Sequence, residues 1–155
     1  MTEQTISASL IIKNESQMLE KCLKSIRGVD EIIIVDTGST DDSIKIAKEH
    51  GAKVYTDYKW GQDEGYPFGN FSIPRNISKN HCTSDWLLII DGDEELLSLI
   101  PSVRKLLSEP FMRDKSLVLF NVDTGMEVNT QPRLFRNRPD VMWHGAAHNK
   151  VVEQQ

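Results

Sequence analysis

The chain has 155 residues, and its 39% hydrophobic and 26% charged residues are ordinary proportions for one globular domain, predicted to span residues 1–155. Its 18 lysines and arginines are outnumbered by 23 aspartates and glutamates, and the resulting net charge of −5 argues against a broad nucleic-acid-binding surface. Cys22 and Cys82 lie far apart without metal-ligand spacing, so we expect free, buried thiols in a reducing compartment.

The N-terminal stretch and the apolar runs bear on where the protein is found. MTEQTISASLIIKNES has no basic leader, and Lys13 interrupts its apolar run, so we do not expect a signal peptide. No stretch approaches the roughly 18 apolar residues that a transmembrane helix needs. We therefore expect a cytoplasmic protein, free or peripheral to a membrane, with no transmembrane segment.

The first third of the chain predicts strands that alternate with helices. Runs of β-branched and apolar residues predict the strands, and apolar residues at helical spacing predict the helices. Asn14 and either Ser39 or Thr40 are the expected N-caps of the two helices. In chain order we predict a strand at 6–13, a helix at 15–28, a strand at 31–36, a helix that follows a turn and ends at 51, and a strand at 52–56. This alternation predicts βαβ units and a parallel sheet.

The remainder begins with an irregular stretch and continues with mixed elements. Residues 57–70 contain three glycines, one proline and four aromatic residues without periodicity, which indicates a functional loop. Beyond it we predict a helix from Ile73 or Pro74 to about Cys82, a strand at 85–91, a helix beginning near Pro101, and strands at 116–123 and 131–137. Residues from 137 onward show no clear period.

Polar residues collect where three of the predicted strands end. Asn14 and Glu15 follow the first strand, Asp36 ends the second, and Asp91–Glu94 follow the fourth. In open α/β sheets, ligands bind in the crevice outside the carboxyl ends of the strands. We therefore expect the functional site at that end of the sheet.

The acidic stretch DGDEE has three interpretations. A solvated acidic turn is the simplest. An EF-hand calcium loop is excluded, because Leu96 stands at its sixth position instead of Gly and Ser102 at its twelfth instead of Glu. A divalent-metal and diphosphate site fits better, because Asp91 and Asp93 supply two carboxylates and Gly92 allows the backbone to bend between them.

Asp36 ends a buried strand before the turn TGSTDDS. An ionised carboxylate only accepts hydrogen bonds, which suits the N–H of a nucleotide base or a ribose hydroxyl. Neither G-x-G-x-x-G nor G-x-x-x-x-G-K-[ST] occurs in the chain, which disfavours a Rossmann cofactor site and a P-loop.

Four stretches, taken together, resemble the family-2 glycosyltransferases of the GT-A fold: SASLIIKNES, EIIIVDTGSTDDS, FSIPRNISKNHCTSDWLLIIDGDEEL and QPRLFRN with MWHGAAHNK. They occur in the family's order and approximate spacing, and they cover roughly residues 6 to 150. The resemblance implies a GT-A, Rossmann-like α/β fold with a mostly parallel central sheet flanked by helices. It also implies inverting transfer of a sugar from a nucleoside-diphosphate sugar, usually a UDP-sugar, to an acceptor hydroxyl, with Mn²⁺ or Mg²⁺ as cofactor.

The same resemblance implies roles for individual residues. Asp36 would bind the base, usually uracil, and Arg75 would lie near the diphosphate. The implied nucleotide-binding set is Lys13, Asn14, Glu15, Asp36, Arg75 and Asp91, and the implied metal ligands are Asp91, Asp93 and His148. Asn149 stands where the family usually has Glu.

The general base is not identified by the sequence, and Asp123, Glu127, Asp140 and His144 are its candidates. Trp60 and Trp143 are candidates to stack on a sugar, and the acceptor would be a saccharide, a lipid-linked group or a protein. Family members commonly run longer, so we expect a minimal chain or one truncated at its C-terminal acceptor side. The main alternative is a non-catalytic sugar-nucleotide-binding module or a domain of a larger enzyme. A nucleotidyltransferase ranks last, because it would normally need a Gly-rich basic phosphate loop after the first strand, where this chain offers only Lys13.

Overall fold

The computed structural model describes residues 3–59, 70–145 and 150–153. The strands are β1 Ile6–Ile12, β2 Glu31–Asp36, β3 Lys53–Tyr55, β4 Trp86–Ile89, β5 Glu95–Leu96, β6 Leu117–Asp123, β7 Val128–Arg136, β8 Val141–His144 and β9 Lys150–Glu153. The helices are α1 Leu19–Ser25, α2 Ser43–Glu49, α3 Ser72–His81 and α4 Ile100–Leu107, with a 3-10 helix at Pro110–Asp114.

A seven-stranded sheet in the order β3-β2-β1-β4-β7-β6-β5 forms the centre of the fold. The first four strands in that order are parallel, and the remaining three pair antiparallel. The short connection between β6 and β7 accounts for part of this change, because a tight turn joins only antiparallel neighbours. The predicted α/β fold is confirmed, and its sheet is parallel in one half and antiparallel in the other.

Both faces of the parallel half are covered, which explains its continuous apolar runs. Every residue of β1 and β4 is buried. Apolar residues of α1, α2 and α4 join the core on one face, while α3 and β8 pack on the other. Cys22 and Cys82 are free and buried, as predicted, and burial raises the pKa of the Cys82 thiol to about 12. No helix among the described residues has the length and apolarity to cross a membrane.

Several local predictions were wrong, chiefly at helix starts and in the C-terminal part. The first helix begins at Leu19 rather than after Asn14, which has a positive φ of 54°. The second begins at Ser43, and neither Ser39 nor Thr40 caps it. The two-residue β5, the 3-10 helix and the β8–β9 hairpin were not predicted, because each is too short or too irregular to show a period.

The order of the strands creates a switch point beside β1. The chain passes from β1 to β2 on one side, and β4 lies on the other side of β1. At the end where these three strands finish, which we call the carboxyl end of the sheet, Ile12 pairs with Asp36 and Ser9 with Ile89. The opposite end is the amino end. The predicted polar residues therefore follow adjacent strands at a place where α/β sheets commonly bind ligands.

Candidate active site

A cleft of about 300 Å³ opens at the carboxyl end of the sheet, beside the switch point. Apolar side chains of β1 and the exposed ring of Phe71 form part of its wall. Its polar lining consists of Lys13, Glu15, Thr37, Arg75, Asp91 and Asp93. The structure therefore brings five of the predicted nucleotide and metal residues into one cleft, and Thr37 directly follows a sixth, Asp36.

Asp36 is buried at the end of β2, with 3% of its surface exposed. Its Oδ2 accepts hydrogen bonds from the backbone N–H groups of Gly38 and Ser39, each at 3.0 Å. Its Oδ1 is buried and has no partner among the described residues. Because a buried acceptor without a partner is costly, this oxygen is well suited to an N–H group of a ligand.

The loops after β1 and β2 are held together by hydrogen bonds. The Asn14 side-chain oxygen accepts from the backbone N–H of Thr40 at 2.7 Å, and the Asn14 N–H donates to the Ser39 hydroxyl at 2.9 Å. The backbone N–H of Glu15 donates to the Ser43 hydroxyl at 2.8 Å. Asn14 thus supports the loop, while its neighbours Lys13 and Glu15 line the cleft.

The acidic turn, which we define as Asp91–Glu94, follows β4 and is closed by its own backbone. The N–H of Glu94 donates to the Asp91 carbonyl at 3.0 Å, and the Glu94 carboxylate accepts from the Asp91 N–H at 2.9 Å. The chain turns at Gly92, as expected, although Gly92 does not have a left-handed φ. A Cβ at this position would lie 3.2 Å from side-chain atoms of both Glu15 and Ile12, so the requirement is for space.

Two of the four carboxylates around the acidic turn are paired with arginines. Arg75 contacts Asp91 at 2.9 Å, and Arg133 contacts Glu94 at 2.5 Å. Glu15 and Asp93 form no ion pair within the described part of the chain. Burial, together with the negative charges of Asp93 and Asp91, raises the pKa of the Glu15 carboxyl. The cleft therefore holds negative charge that a cation would neutralise.

The residues present fit a divalent cation with hard oxygen ligands. Mg²⁺ and Mn²⁺ need only one or two protein carboxylates when phosphate oxygens and water complete the coordination. Asp91 and Asp93 offer these two carboxylates, whereas the described residues contain no cluster of three or more His, Cys, Asp or Glu that could hold a metal. His148, the third predicted ligand, lies outside the described residues.

Arg75 is positioned by the packing of α3 on the sheet. The hydroxyls of Ser9 and Ser78 lie 2.7 Å apart and are both buried, which allows a close approach of the helix to β1. Arg75 precedes Ser78 by one turn of the helix, on the side of the cleft. Its guanidinium lies 4.8 Å from the ring centroid of Trp143, and its buried Nε has no partner among the described residues.

Sequence reasoning missed the contacts that attach β8 to α3. The side-chain amide of Asn76 accepts from the backbone N–H of Trp143 at 2.8 Å and donates to its carbonyl at 3.0 Å. The Ser72 hydroxyl donates to the Gly145 carbonyl. These contacts place the Trp143 ring over Arg75, so this tryptophan supports the arginine; Trp60, the other predicted stacking residue, lies outside the described residues. The available indication of these contacts was the PRN triplet, in which Asn76 directly follows Arg75.

None of the four candidate bases lines the cleft. Asp123 shares a small neighbouring hollow with Asp93. Glu127 is exposed in the turn between β6 and β7, and His144 is exposed at the end of β8. Asp140 forms an ion pair at 3.2 Å with an arginine two residues earlier, near the amino end of the sheet. The structure thus places only Asp123, of these four, beside a residue of the acidic turn.

A second cavity, of about 640 Å³, lies at the amino end of the sheet. Arg104 and Arg136 line it, but their guanidinium groups donate to the backbone carbonyls of Gln4, Gly28 and Met112. Because these arginines hold chain segments together, we assign the candidate active site to the smaller cleft.

The sequence profile of Glycosyl transferase family 2 matches residues 7–141, most of the chain. The chain belongs to this family. The predicted resemblance is thereby confirmed, and the matched range contains every described residue of the cleft.

Two curated relatives of this family-2 chain match it over nearly its whole length. A TPR repeat-containing protein of Synechococcus elongatus is 36% identical over 94% of the chain. The SPbeta prophage-derived glycosyltransferase SunS of Bacillus subtilis is 33% identical over 96% of the chain. Each match covers 35% of the relative, so the chain spans about a third of the length of these curated relatives.

Solved structures share the fold of this family-2 chain. Glucosyl-3-phosphoglycerate synthase of Mycobacterium tuberculosis, in complex with Mn²⁺, UDP and glucosyl-3-phosphoglycerate, matches with a TM-score of 0.52 and 27% identity over 74% of this chain and 42% of the synthase chain. TarS 1–349 of S. aureus in complex with UDP matches with a TM-score of 0.54 and 18% identity over 66% of this chain and 31% of its own. At that lower identity, the TarS likeness concerns the fold alone.

Proposed function

We propose that this chain binds a UDP-sugar in the cleft and, with a divalent metal, transfers the sugar with inversion to an acceptor hydroxyl. One juxtaposition carries the proposal: Oδ1 of Asp36, buried and without a partner among the described residues, lies at the same end of the sheet as Glu15 and Asp93, which form no ion pair within that part of the chain. The first suits a base N–H, and the others suit a cation with its diphosphate.

The base-binding part of the proposal rests on the acceptor character of Asp36. Uracil presents an N–H at N3, whereas cytosine presents an acceptor there, so a carboxylate oxygen favours uracil. Thymine and guanine also present a ring N–H, which makes dTDP-sugars and GDP-sugars the less favoured donors. Lys13 and Glu15 line the cleft and would contact the base and ribose, with Asn14 supporting their loop.

The diphosphate part of the proposal assigns Asp91, Asp93 and His148 to the metal and Arg75 to the diphosphate. A bound divalent metal would supply Lewis-acid neutralisation of the negative charge that develops on the departing diphosphate. Arg75, fixed by Asp91 and Trp143, would add a positive charge on the side of α3. Mn²⁺ and UDP occur together in the complex of the mycobacterial synthase, which supports a site that takes a divalent metal with a nucleoside diphosphate.

The transfer step requires a base for the acceptor proton. The acceptor oxygen would form a bond to the anomeric carbon as the bond to the diphosphate oxygen breaks, and a carboxylate would take the hydroxyl proton. Asp123 is the candidate that we favour, because it shares a hollow with Asp93. A saccharide, a lipid-linked group and a protein remain the proposed classes of acceptor, and a cytoplasmic or membrane-peripheral location remains a prediction.

A binding module without transfer activity is the second candidate. The observation that favours it is the absence of all four candidate bases from the lining of the cleft. UDP release from UDP-glucose, UDP-galactose and UDP-N-acetylglucosamine in Mn²⁺ separates the two candidates, with D93N as the control. Transfer to water, seen as metal-dependent release that D93N lacks, supports the enzyme. Binding of a UDP-sugar without release, even when acceptors are added, supports the module.

A further inference from the structure

Glu94 lies at the end of the acidic turn and is buried between two hydrogen-bond donors, with 7% of its surface exposed. Its Oε2 accepts from the backbone N–H of Asp91 at 2.9 Å, and its Oε1 accepts from Nη2 of Arg133 at 2.5 Å. Arg133 belongs to β7 and is equally buried. Glu94 therefore connects the backbone of the acidic turn to the strand that pairs with β4.

A buried ion pair is weak evidence of a stabilising role. Removal of two charges from water offsets much of their attraction, and well-packed apolar residues often serve stability equally well. Arg133 illustrates the cost, because its buried Nε has no partner among the described residues. The second carboxylate oxygen points to a different role, since it accepts the N–H of Asp91 itself.

We propose that Glu94 and Arg133 are a positioning pair that fixes the acidic turn so that Asp91 and Asp93 present their carboxylates to the cleft. Arg133 orients the Glu94 carboxylate, and Glu94 in turn holds the Asp91 backbone. The inference rests on the proposed function, because the metal and diphosphate are what the positioned carboxylates would bind. Neither residue of the pair touches these ligands in this account.

The substitution E94Q tests the pair because an amide has a single acceptor oxygen. The charged Arg133 competes for that oxygen more strongly than a backbone N–H does. The amide nitrogen then faces the N–H of Asp91, and because both groups are hydrogen-bond donors they repel each other. In the double variant E94Q/R133M the competitor is gone, and the amide oxygen is available to the Asp91 N–H again.

Asp30 offers a matched control at the amino end of the sheet. Its Oδ2 accepts from the backbone N–H of Ile6 at 2.7 Å and from Nη2 of Arg104 at 2.8 Å. The substitution D30N removes a charge beside the same two kinds of donor, away from the acidic turn, but its amide oxygen can keep both bonds because the two donors already share Oδ2. Its effect on thermal stability reports what such a substitution costs the fold.

The measurement is calorimetric titration of each variant with UDP in Mn²⁺ and in EDTA, below the melting temperature of the variant. We expect E94Q to bind UDP about tenfold more weakly in Mn²⁺, with unchanged affinity in EDTA, because an opposed buried donor displaces the turn. The UDP affinity of the double variant in Mn²⁺ should return to within about threefold of the wild-type affinity, since one of the two opposed donors has been removed. D30N should lower the melting temperature and leave both affinities unchanged.

Three results would overturn the inference: wild-type affinity in E94Q, an equal loss of affinity in D30N, or no recovery in the double variant. Each of these can be seen while the wild type still binds UDP in a metal-dependent manner, so the proposed function survives them. A wild type without metal-dependent UDP binding would overturn the proposed function and, with it, the positioning role.

Discussion

The carboxylates at the two ends of the parallel strands differ in how their oxygen atoms are bonded. At the amino end, Asp85 accepts from both the backbone N–H and the hydroxyl of Thr5, at 2.9 Å each. Glu31 accepts from the Ser7 hydroxyl and from Thr83. Burial alone would raise the pKa of Glu31, but these hydrogen bonds hold it below its ordinary value. The acids at this end connect strands to one another.

At the carboxyl end, several carboxylates have oxygen atoms without a partner among the described residues. Oδ1 of Asp36 has no partner among the described residues, and burial with neighbouring negative charge raises the pKa of Glu15. Asp93 is exposed and belongs to no ion pair in the described part of the chain. Asp85 and Glu31 thus connect strands at the amino end, whereas Asp36, Glu15 and Asp93 keep free acceptor capacity among the described residues at the carboxyl end.

The largest expected effect comes from Asp93. D93N should weaken metal-dependent UDP binding by about a hundredfold or more, because one of the two proposed carboxylate ligands of the cation is lost. Its melting temperature should stay unchanged or rise, since a repulsive charge is removed. D85N, at the amino end, should lower the melting temperature and leave UDP affinity intact. Calorimetry and thermal unfolding of the two variants check this, and the reverse pattern would contradict this difference between the two ends.

Asp36 should control the choice of base. In D36N the amide oxygen can keep the bonds to Gly38 and Ser39, which turns the amide nitrogen toward the ligand. A donor at that position opposes N3–H of uracil and suits N3 of cytosine, so UDP affinity should fall by about tenfold or more while CDP affinity rises. Parallel titrations with UDP and CDP measure the change. An unaltered preference for UDP would show that Asp36 does not read the base.

Arg75 has a matched arginine at the other end of the sheet. Arg75 lies over Trp143 and bonds to Asp91, while Arg136 lies 4.3 Å from the ring centroid of Trp86. R75K should weaken UDP binding by about tenfold, because lysine cannot both stack and form a planar hydrogen bond, and it should leave uridine binding nearly unchanged. R136K should reduce thermal stability without that selective loss. Equal effects of R75K on UDP and uridine would exclude a diphosphate role.

The smallest expected effect is the contribution of Glu15 to the pH dependence of thermal stability. Because the pKa of Glu15 is raised in the folded state, its ionised form destabilises the fold, and this cost appears as pH rises above the ordinary carboxyl range. E15Q should therefore melt at a slightly higher temperature than the wild type at neutral pH, without metal. The difference should vanish under acidic conditions, where both side chains are neutral. A pH-independent difference would attribute the effect to packing.

The fold of the parallel half could be predicted from the sequence because both of its faces are buried. Continuous apolar runs such as EIIIVD and DWLLIID identify β2 and β4, and the amphipathic stretches between strands identify the helices. The helix starts could not be predicted, because Asn14, Ser39 and Thr40 bond across two loops instead of capping. Such pairings depend on tertiary neighbours that local sequence does not show.

The candidate site was predictable to a similar extent. Residues that follow adjacent strands, such as Glu15 and Asp91, were expected to meet, and they do. The support for the site was not predictable, because the pair of Glu94 with Arg133 and that of Asn76 with Trp143 join residues far apart in the chain. The catalytic base could not be predicted, because no sequence pattern distinguishes Asp123, Glu127, Asp140 and His144 from one another; only the position of Asp123 beside Asp93 in the structure favours one of them.

The most direct test of the central claim is calorimetric titration of the wild-type chain with UDP in Mn²⁺ and then in EDTA, repeated with GDP and dTDP. We expect binding that is selective for UDP and is weakened strongly when the metal is removed, because the proposed function has Asp36 select the base and the acidic turn hold the cation. Binding of equal strength in EDTA, or no binding to any of the three nucleotides, would contradict it.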